Sequence, residues 1–156
     1  MLNVDIPGFK KLSIKNIICD YNGTLAIDGA IIPEVIPLIE KLSKSLTIHV
    51  VTGDTFGTAA KNLNHLSVTI EVLTSEQQDQ KKLAYLNRLG SDITICIGNG
   101  KNDKLMLQKS VVGICLIQSE GSSLDSLLTA DIICTSAEDA LNMLLKPKRL
   151  IATLRK

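Results

Sequence analysis

The chain has 156 residues and a formal net charge of +1, and aromatic residues make up only 3% of it. This charge balance argues against nucleic acid or a membrane surface as a partner, and few rings are present on which bases could stack. No apolar run approaches the roughly 20 residues that span a bilayer, and the first residues lack the layout of a signal peptide. We therefore expect a cytoplasmic protein that binds neither nucleic acid nor membrane.

The cysteines also lead us to expect a cytoplasmic protein. Each of the four stands alone in an apolar run, and none belongs to a Cys-x-x-Cys pair: Cys19, Cys96, Cys115 and Cys134. This spacing excludes the usual zinc and redox motifs and predicts reduced, buried thiols.

Short apolar runs alternate with longer amphipathic segments along the chain. The runs predict strands at Ser13–Cys19, Leu46–Val51, Val68–Leu73, Asp92–Ile97, Val111–Ile117 and Asp131–Cys134. The amphipathic segments predict helices at Pro33–Ser45, Phe56–Leu66, Ser75–Leu89, Asn102–Ser110, Ser122–Leu128 and Ala137–Leu145. This alternation is typical of an α/β fold with three layers and a doubly wound parallel sheet, and we expect one domain over residues 1–156.

Helix boundaries follow from local chemistry. Pro33 suits a first helical turn, where its missing N–H group costs nothing. Ser75 and Gln78 have the spacing of a capping box, and Gly90 suits a helix stop after Leu89. The basic residues that follow position 145 indicate a solvated last helix.

Polar, glycine-containing turns follow three of the predicted strands, and ligands of such sheets bind at the carboxyl ends of the strands. The turns are Asp20-Tyr21-Asn22-Gly23-Thr24, Thr52-Gly53-Asp54 and Gly98-Asn99-Gly100-Lys101-Asn102-Asp103. Taken singly, each is more often a plain turn or helix cap than a ligand site. All three in this order, each after a strand, indicate a common site.

Each turn suits one task in phosphoryl transfer. The carboxylate of Asp20 can attack phosphorus in line, and Gly23 permits the tight backbone turn that points amides at an anion. The Thr52 hydroxyl and the Gly53 amide suit phosphate binding. Asn99 and Asp103 offer the oxygen ligands that Mg²⁺ prefers, so we expect Mg²⁺ as the cofactor.

These segments resemble motifs one to four of the haloacid dehalogenase (HAD) superfamily, and the likeness covers nearly the whole chain from Lys15. The stretches around Thr52-Gly53-Asp54 and Asn102-Asp103 are most similar to soluble, P-type-ATPase-like members. The resemblance implies a hydrolase that works through an aspartyl-phosphate on a phosphorylated small molecule or macromolecule. The spacing leaves no room for the cap domain that the superfamily usually inserts, so we expect an open site, or one completed by formation of a homo-oligomer.

The resemblance also implies a role for each site residue. Asp20 matches the nucleophile of the family, and a lysine matches the cation that lies beside it. We assign this lysine to Lys82 because its spacing to Gly90 resembles that of the family's helix, and Lys81 is the alternative. The implied catalytic residues are Asp20, Asn22, Thr52 and Lys82. The implied phosphate-binding residues are Gly23, Thr24, Thr52, Gly53 and Lys82. The implied metal ligands are Asp20, Asn22 through its backbone carbonyl, Asn99 and Asp103.

Two positions depart from the family pattern. Asn22 stands where phosphatases of the superfamily carry an aspartate that acts as general acid and base, and an amide cannot take a proton from water near neutral pH. Asn99 replaces the first acid of motif four, which removes one negative charge from the metal site and predicts weaker metal binding.

Three functional hypotheses follow. The first is a Mg²⁺-dependent phosphohydrolase of low or specialised turnover. The second is a phosphate- or nucleotide-binding regulatory module with little catalysis. The third is a protein that needs a partner to supply the missing general base.

Overall fold

The computed structural model describes residues 1–54 and 57–156. The centre of the molecule is a parallel sheet of six strands. These strands are β3 (Asn16–Cys19), β6 (Thr47–Thr52), β7 (Thr69–Val72), β8 (Thr94–Gly98), β9 (Val112–Leu116) and β10 (Ile132–Cys134). Their order across the sheet is β10-β9-β8-β3-β6-β7. The chain runs outward from β3 through β6 to β7 and then returns to the other side of β3 as β8. The order therefore reverses between β3 and β8.

Helices cover both faces of this sheet, which confirms the predicted three-layer α/β fold. One layer contains α1 (Ile36–Leu42), α2 (Ala59–Leu63), α6 (Ala137–Leu145) and α7 (Lys148–Leu154). The other contains α3 (Gln78–Leu89), α4 (Lys104–Lys109) and α5 (Leu124–Thr129). Aliphatic side chains fill both layers, and all four cysteines are buried and unpaired. Among the described residues, no helix is long and apolar enough to cross a membrane.

The predicted strand Ser13–Cys19 is in fact two strands. Up to Ile14 the chain forms β2 (Lys11–Ile14), which pairs antiparallel with β1 (Leu2–Asp5) in a separate hairpin. Along β2 exposed and buried residues alternate, whereas β3 is buried on both faces. The division comes at Lys15, whose backbone bonds to Ile93 and Thr47 at the start of the main sheet.

A second short hairpin lies between the first predicted strand and helix. It consists of β4 (Ala26–Ile27) and β5 (Ala30–Ile31), joined through Asp28 and Gly29, both with positive φ. A turn of 3₁₀ helix (Pro33–Val35) follows and leads into α1, with Pro33 in its first turn as predicted. The predicted start of the next helix at Phe56 lies outside the described residues.

The predicted capping box at Ser75 is wrong. Helix α3 begins at Gln78, after Gln77 in a left-handed conformation with φ of 51°, and no side chain caps it. The Gln78 amide oxygen instead accepts a hydrogen bond from Asn102 Nδ2 at 2.8 Å. The predicted stop at Gly90 is confirmed, since its φ of 97° is one that glycine readily adopts.

Gly113 in β9 permits close packing of helix α4 on the sheet. A Cβ atom at this position would lie 2.3 Å from the carbonyl oxygen of Leu107 in α4. That neighbour is backbone, so relief would require the helix to move.

We predict that Gly113→Ala lowers the free energy of unfolding by roughly 1 to 3 kcal/mol, because it forces α4 away from the sheet. Gly121→Ala is the matched control: φ is 77° there, but nothing lies within 4 Å of the added methyl group. The control should cost about 1 kcal/mol, since only backbone strain opposes it. Urea unfolding of both variants measures the difference, and a smaller loss for Gly113→Ala would contradict this packing argument.

Candidate active site

Three loops meet at the carboxyl edge of the sheet, as predicted. They follow β3, β6 and β8, and the order of strands reverses between β3 and β8. The Asp20 amide donates to the Ile97 carbonyl at 2.9 Å, so the first and third loops start side by side. Open α/β sheets bind ligands at such a point because the neighbouring loops diverge there and leave a crevice.

A buried lysine joins two of these loops. Lys82 lies in the first half of α3, and its Nζ is 2.6 Å from Asp20 Oδ1 and 2.6 Å from Asp103 Oδ1. Lys82 and Asp103 are fully buried, and Asp20 is 7% exposed. Lys81 is half-buried, and its ammonium donates to the Thr74 hydroxyl. The geometry therefore places Lys82, and not Lys81, beside Asp20.

The close contacts in this cluster shift the pKa values of Asp20 and Lys82. Burial, followed by the charge of Asp103, raises the pKa of Asp20 to about 6, although Lys82 opposes this shift. Burial alone would lower the pKa of Lys82, but Asp103 and Asp20 outweigh that effect and raise it above its ordinary value. Lys82 therefore stays charged, and the ionised cluster carries one net negative charge.

Asp103 organises the loop after β8. Its Oδ2 accepts hydrogen bonds from the backbone amides of Asn99 and Gly100 at 3.0 and 2.9 Å. Its Oδ1 accepts from Lys82, so both carboxylate oxygens are engaged with protein groups. Asp103 thus fixes the position of Lys82 and the conformation of its own loop together.

The Asn99 side chain connects the loops after β3 and β9. Its Oδ1 accepts from the Thr24 hydroxyl at 3.3 Å, and its Nδ2 donates to the Gly121 carbonyl at 3.0 Å. A Cβ atom on Gly23 would lie 2.2 Å from Asn99 Nδ2, so this position needs glycine for space and for its φ of 78°. Thr24 is fully buried, and its hydroxyl donates to Asn99.

The loop after β6 contributes Thr52 and Gly53. Thr52 is buried, and its Oγ1 accepts a hydrogen bond from the Asp54 amide at 2.9 Å. Within the part of the chain that the structure describes, no acceptor binds the hydroxyl proton, which could therefore bond to a ligand. The Asp54 carboxylate accepts from the amides of Thr58 and Ala59, each at 2.9 Å, and so caps α2. Thr52 and Gly53 thus remain the candidates for ligand contact, whereas Asp54 is structural.

Asn22 and Tyr21 follow Asp20 and differ in their surroundings. The Asn22 Oδ1 atom is buried, and among the described residues it has no hydrogen-bond partner. Tyr21 is fully buried, and its hydroxyl donates to the Gly29 carbonyl at 3.2 Å. That carbonyl also accepts from Thr58 Oγ1 and Asn62 Nδ2, so the turn of the β4–β5 hairpin is held against the body of the molecule.

Sequence reasoning missed Gln118, which follows β9. Its Nε2 donates to the carbonyls of Gly23 and Thr24 at 3.0 and 2.9 Å, and its Oε1 accepts from the Ala137 amide at 2.8 Å. This side chain supports the loop that carries Asp20. An isolated glutamine so far along the chain gives no sequence signal of such a role.

Comparison with known proteins adds information on the fold. No family model matches the chain. An uncharacterized protein of Methanocaldococcus jannaschii is 46% identical over 61 residues, a match that covers 39% of this chain and 66% of that protein. The chain therefore covers slightly less than two thirds of that relative.

Solved structures resemble the chain over most of its length. A 3-deoxy-D-manno-octulosonate 8-phosphate phosphatase from Moraxella catarrhalis, in complex with magnesium, phosphate and KDO, has a TM-score of 0.73 at 14% identity and covers 92% of this chain and 94% of its own. The cobalt-bound form of the deoxy-D-mannose-octulosonate 8-phosphate phosphatase of Haemophilus influenzae has a TM-score of 0.70 at 13% identity, over 92% of this chain and 94% of its own.

A third structure comes from a study of phosphatases of the HAD superfamily, the protein BT1666 of Bacteroides thetaiotaomicron. Its TM-score is 0.58 at 11% identity, over 90% of this chain and 96% of its own. At these identities the likeness concerns the fold. The chain has the α/β fold of HAD-superfamily phosphatases, with no cap domain among its described residues.

Proposed function

We propose that the chain is a Mg²⁺-dependent phosphohydrolase that forms an aspartyl-phosphate on Asp20 and turns over slowly. The observation that carries this proposal is the buried Lys82 ammonium, 2.6 Å from both Asp20 and Asp103 at the point where the strand order reverses. The cluster carries one net negative charge, so it suits a divalent cation, which would in turn attract a phosphoryl group to Asp20. The structural neighbours named as phosphatases support the same reaction class.

The oxygen donors near Asp20 fit Mg²⁺. Within the described residues no three His, Cys, Asp or Glu side chains form a metal site, so amide and carbonyl oxygens would complete the set. Asp20 would supply a carboxylate oxygen and Asn22 its backbone carbonyl. Asn99 Oδ1 accepts one hydrogen bond and retains a second lone pair. Such hard oxygen ligands and one net negative charge suit a divalent cation.

Asp103 has a different task in this proposal from the one expected. Because its two oxygens already accept three hydrogen bonds from Lys82, Asn99 and Gly100, it would act on an ion through water. Thr24, in turn, would hold Asn99 in place and would not bind phosphate itself. A bound Mg²⁺ would supply charge neutralisation at the phosphate oxygens.

Asp20 would carry the covalent step. One of its carboxylate oxygens attacks phosphorus as the bond from phosphorus to the ester oxygen breaks, and the leaving alkoxide takes a proton from water. Lys82 keeps the carboxylate ionised and oriented, while the Thr52 hydroxyl and the Gly53 amide donate to phosphate oxygens. Water then attacks phosphorus, the bond to Asp20 breaks, and the proton of that water passes to solvent or to the departing phosphate.

The second step should be slow because Asn22 cannot accept that proton. The same observation favours a second candidate function, a phosphate- or nucleotide-binding regulatory module that keeps the site without efficient turnover. Activity measurements separate the two candidates.

We predict that Asp20→Asn abolishes Mg²⁺-dependent release of phosphate from p-nitrophenyl phosphate, because an amide cannot attack phosphorus. Asp5→Asn, at an exposed aspartate in β1, is the charge-matched control and should keep wild-type activity. Binding of a phosphate mimic such as beryllium fluoride by a wild-type protein without turnover would favour the regulatory function. Equal activity in the wild type and Asp20→Asn would refute both the nucleophile and the mechanism.

We predict that Asn22→Asp raises turnover of the same substrate, by roughly 10²-fold, because it restores a general base two residues after the nucleophile. Asn64→Asp makes the same change at an exposed position and should leave turnover unchanged. Stopped assays at saturating Mg²⁺ measure the ratio. If Asn22→Asp is no faster than the wild type, the missing base does not limit the reaction.

We predict that metal-free Asp20→Asn protein gains stability over the wild type as pH rises. The folded-state pKa of Asp20, about 6, exceeds its ordinary value of 3.8, so ionisation of this carboxyl opposes folding. Below pH 3.8 this penalty is absent; it grows through pH 6 and then levels off at roughly 2 to 3 kcal/mol. Urea unfolding with EDTA from pH 4 to 8 measures the difference, and added Mg²⁺ should reduce it. A constant difference would contradict the assignment.

A further inference from the structure

Beside the catalytic cluster lies a cleft of about 380 Å³ to which only polar side chains contribute. Its lining residues, which define the polar cleft, are Ser75, Gln77, Gln78, Asp79, Lys101 and Asn102. The set contains one hydroxyl, three amides and two opposite charges, and it has no aromatic or aliphatic side chain. Hydrogen-bonding groups therefore provide the specific contacts that this cleft can make with a bound molecule.

The polar cleft borders the proposed phosphate site on two sides. A Cβ atom on Gly53 would lie 2.3 Å from Gln78 Nε2, so Gln78 lies against the loop after β6. Asn102 directly precedes Asp103 in the loop after β8. A phosphate at Thr52 and Gly53 would therefore have its ester group close to Gln78 and Asn102.

The two amides are oriented by one mutual hydrogen bond, from Asn102 Nδ2 to Gln78 Oε1 at 2.8 Å. Among the described residues, no hydrogen bond engages Gln78 Nε2 or Asn102 Oδ1. The pair thus offers one donor and one acceptor, which matches hydroxyl groups, since each hydroxyl both donates and accepts. Asp79 and Lys101 carry opposite charges, so the polar cleft has no net charge to select a charged group.

From this arrangement, which rests on the proposed function, we propose that the polar cleft binds a neutral polyhydroxylated leaving group, with Gln78 and Asn102 bonded to its hydroxyls. Gln78 then determines specificity among phosphate esters. It takes no part in the covalent step, and so its effect depends on the leaving group. An apolar aryl group or a zwitterionic amino acid makes fewer matched bonds in the cleft.

The first test compares D-glucitol 6-phosphate, phenyl phosphate and O-phospho-L-serine as substrates with Mg²⁺. The wild type should have its highest kcat/KM for the glucitol ester. Gln78→Leu should lower the ratio of kcat/KM for the glucitol ester over phenyl phosphate about tenfold, as expected for the loss of a hydrogen bond to substrate. Gln80→Leu, at an exposed position of the same helix outside the cleft, should leave the ratio unchanged.

A change of charge at Gln78 gives a second test, because a purely structural role for Gln78 predicts no dependence on the charge of the leaving group. Gln78→Glu should lower the ratio of kcat/KM for the glucitol ester over phenyl phosphate. It should raise the ratio of kcat/KM for O-phosphoethanolamine over phenyl phosphate, since the leaving group of O-phosphoethanolamine is a cation. The proposal is overturned if Gln78→Leu leaves the substrate ratio unchanged, or if the wild type prefers O-phospho-L-serine.

Binding separates failure of this inference from failure of the proposed function. In ¹⁵N spectra of the Asp20→Asn protein with Mg²⁺, glucitol 6-phosphate should shift the side-chain amide signals of Gln78 and Asn102 more than phenyl phosphate does. Such shifts support binding of the polyhydroxylated group in the polar cleft even if no ester is hydrolysed. Equal or absent shifts overturn this inference even if the wild type is an active phosphatase.

Discussion

The site depends on one buried cation shared by two acids. Lys82 comes from a helix on one face of the sheet, whereas Asp20 and Asp103 come from loops at its edge. Isolated burial of the Lys82 cation would be costly, and its contacts at 2.6 Å with Asp20 and Asp103 offset this cost. The folded chain therefore needs Lys82 for the arrangement of its loops as well as for any chemistry there.

In our proposal, neutral groups lie around this cluster at positions where the reaction would use charges. Asn99 serves as a connector between Thr24 and Gly121, and Asn22 has a buried amide oxygen without a described partner. The net charge near Asp20 is thereby kept at one negative unit. In our proposal this suits formation of the phosphoenzyme better than its hydrolysis, since the first step needs an ionised Asp20 and the second needs a base.

The sequence predicted the main strands well because parallel strands buried on both faces are continuous apolar runs. The sequence also predicted one sheet edge for four site residues, since the carboxyl ends of parallel strands lie at the same edge. These residues are Asp20, Thr52, Asn99 and Asp103. The division at Lys15 and the start of α3 at Gln78 were not predicted. Each depends on contacts with distant residues, Ile93 and Thr47 for Lys15 and Asn102 for Gln78.

Spacing to Gly90 favoured Lys82 and left Lys81 as the alternative, and the packing of α3 separates the two. Adjacent helical residues point about 100° apart, so only one of the two can point directly at Asp20. Gln118 lay outside any motif because its partners, Gly23 and Ala137, are distant from it in sequence. The similarity to P-type ATPases remains a prediction.

If Asp20 is phosphorylated as we propose, the Gly29 carbonyl has a consequence for the lifetime of the phosphorylated form. Since it accepts hydrogen bonds from Tyr21, Thr58 and Asn62, the hairpin that carries it is poorly suited to swing over the site as a lid. Water and alternative acceptors would then reach the acyl phosphate at all times. Its persistence would be governed by the chemistry of the neighbouring amide, and the cell could discharge it simply by presenting a better acceptor.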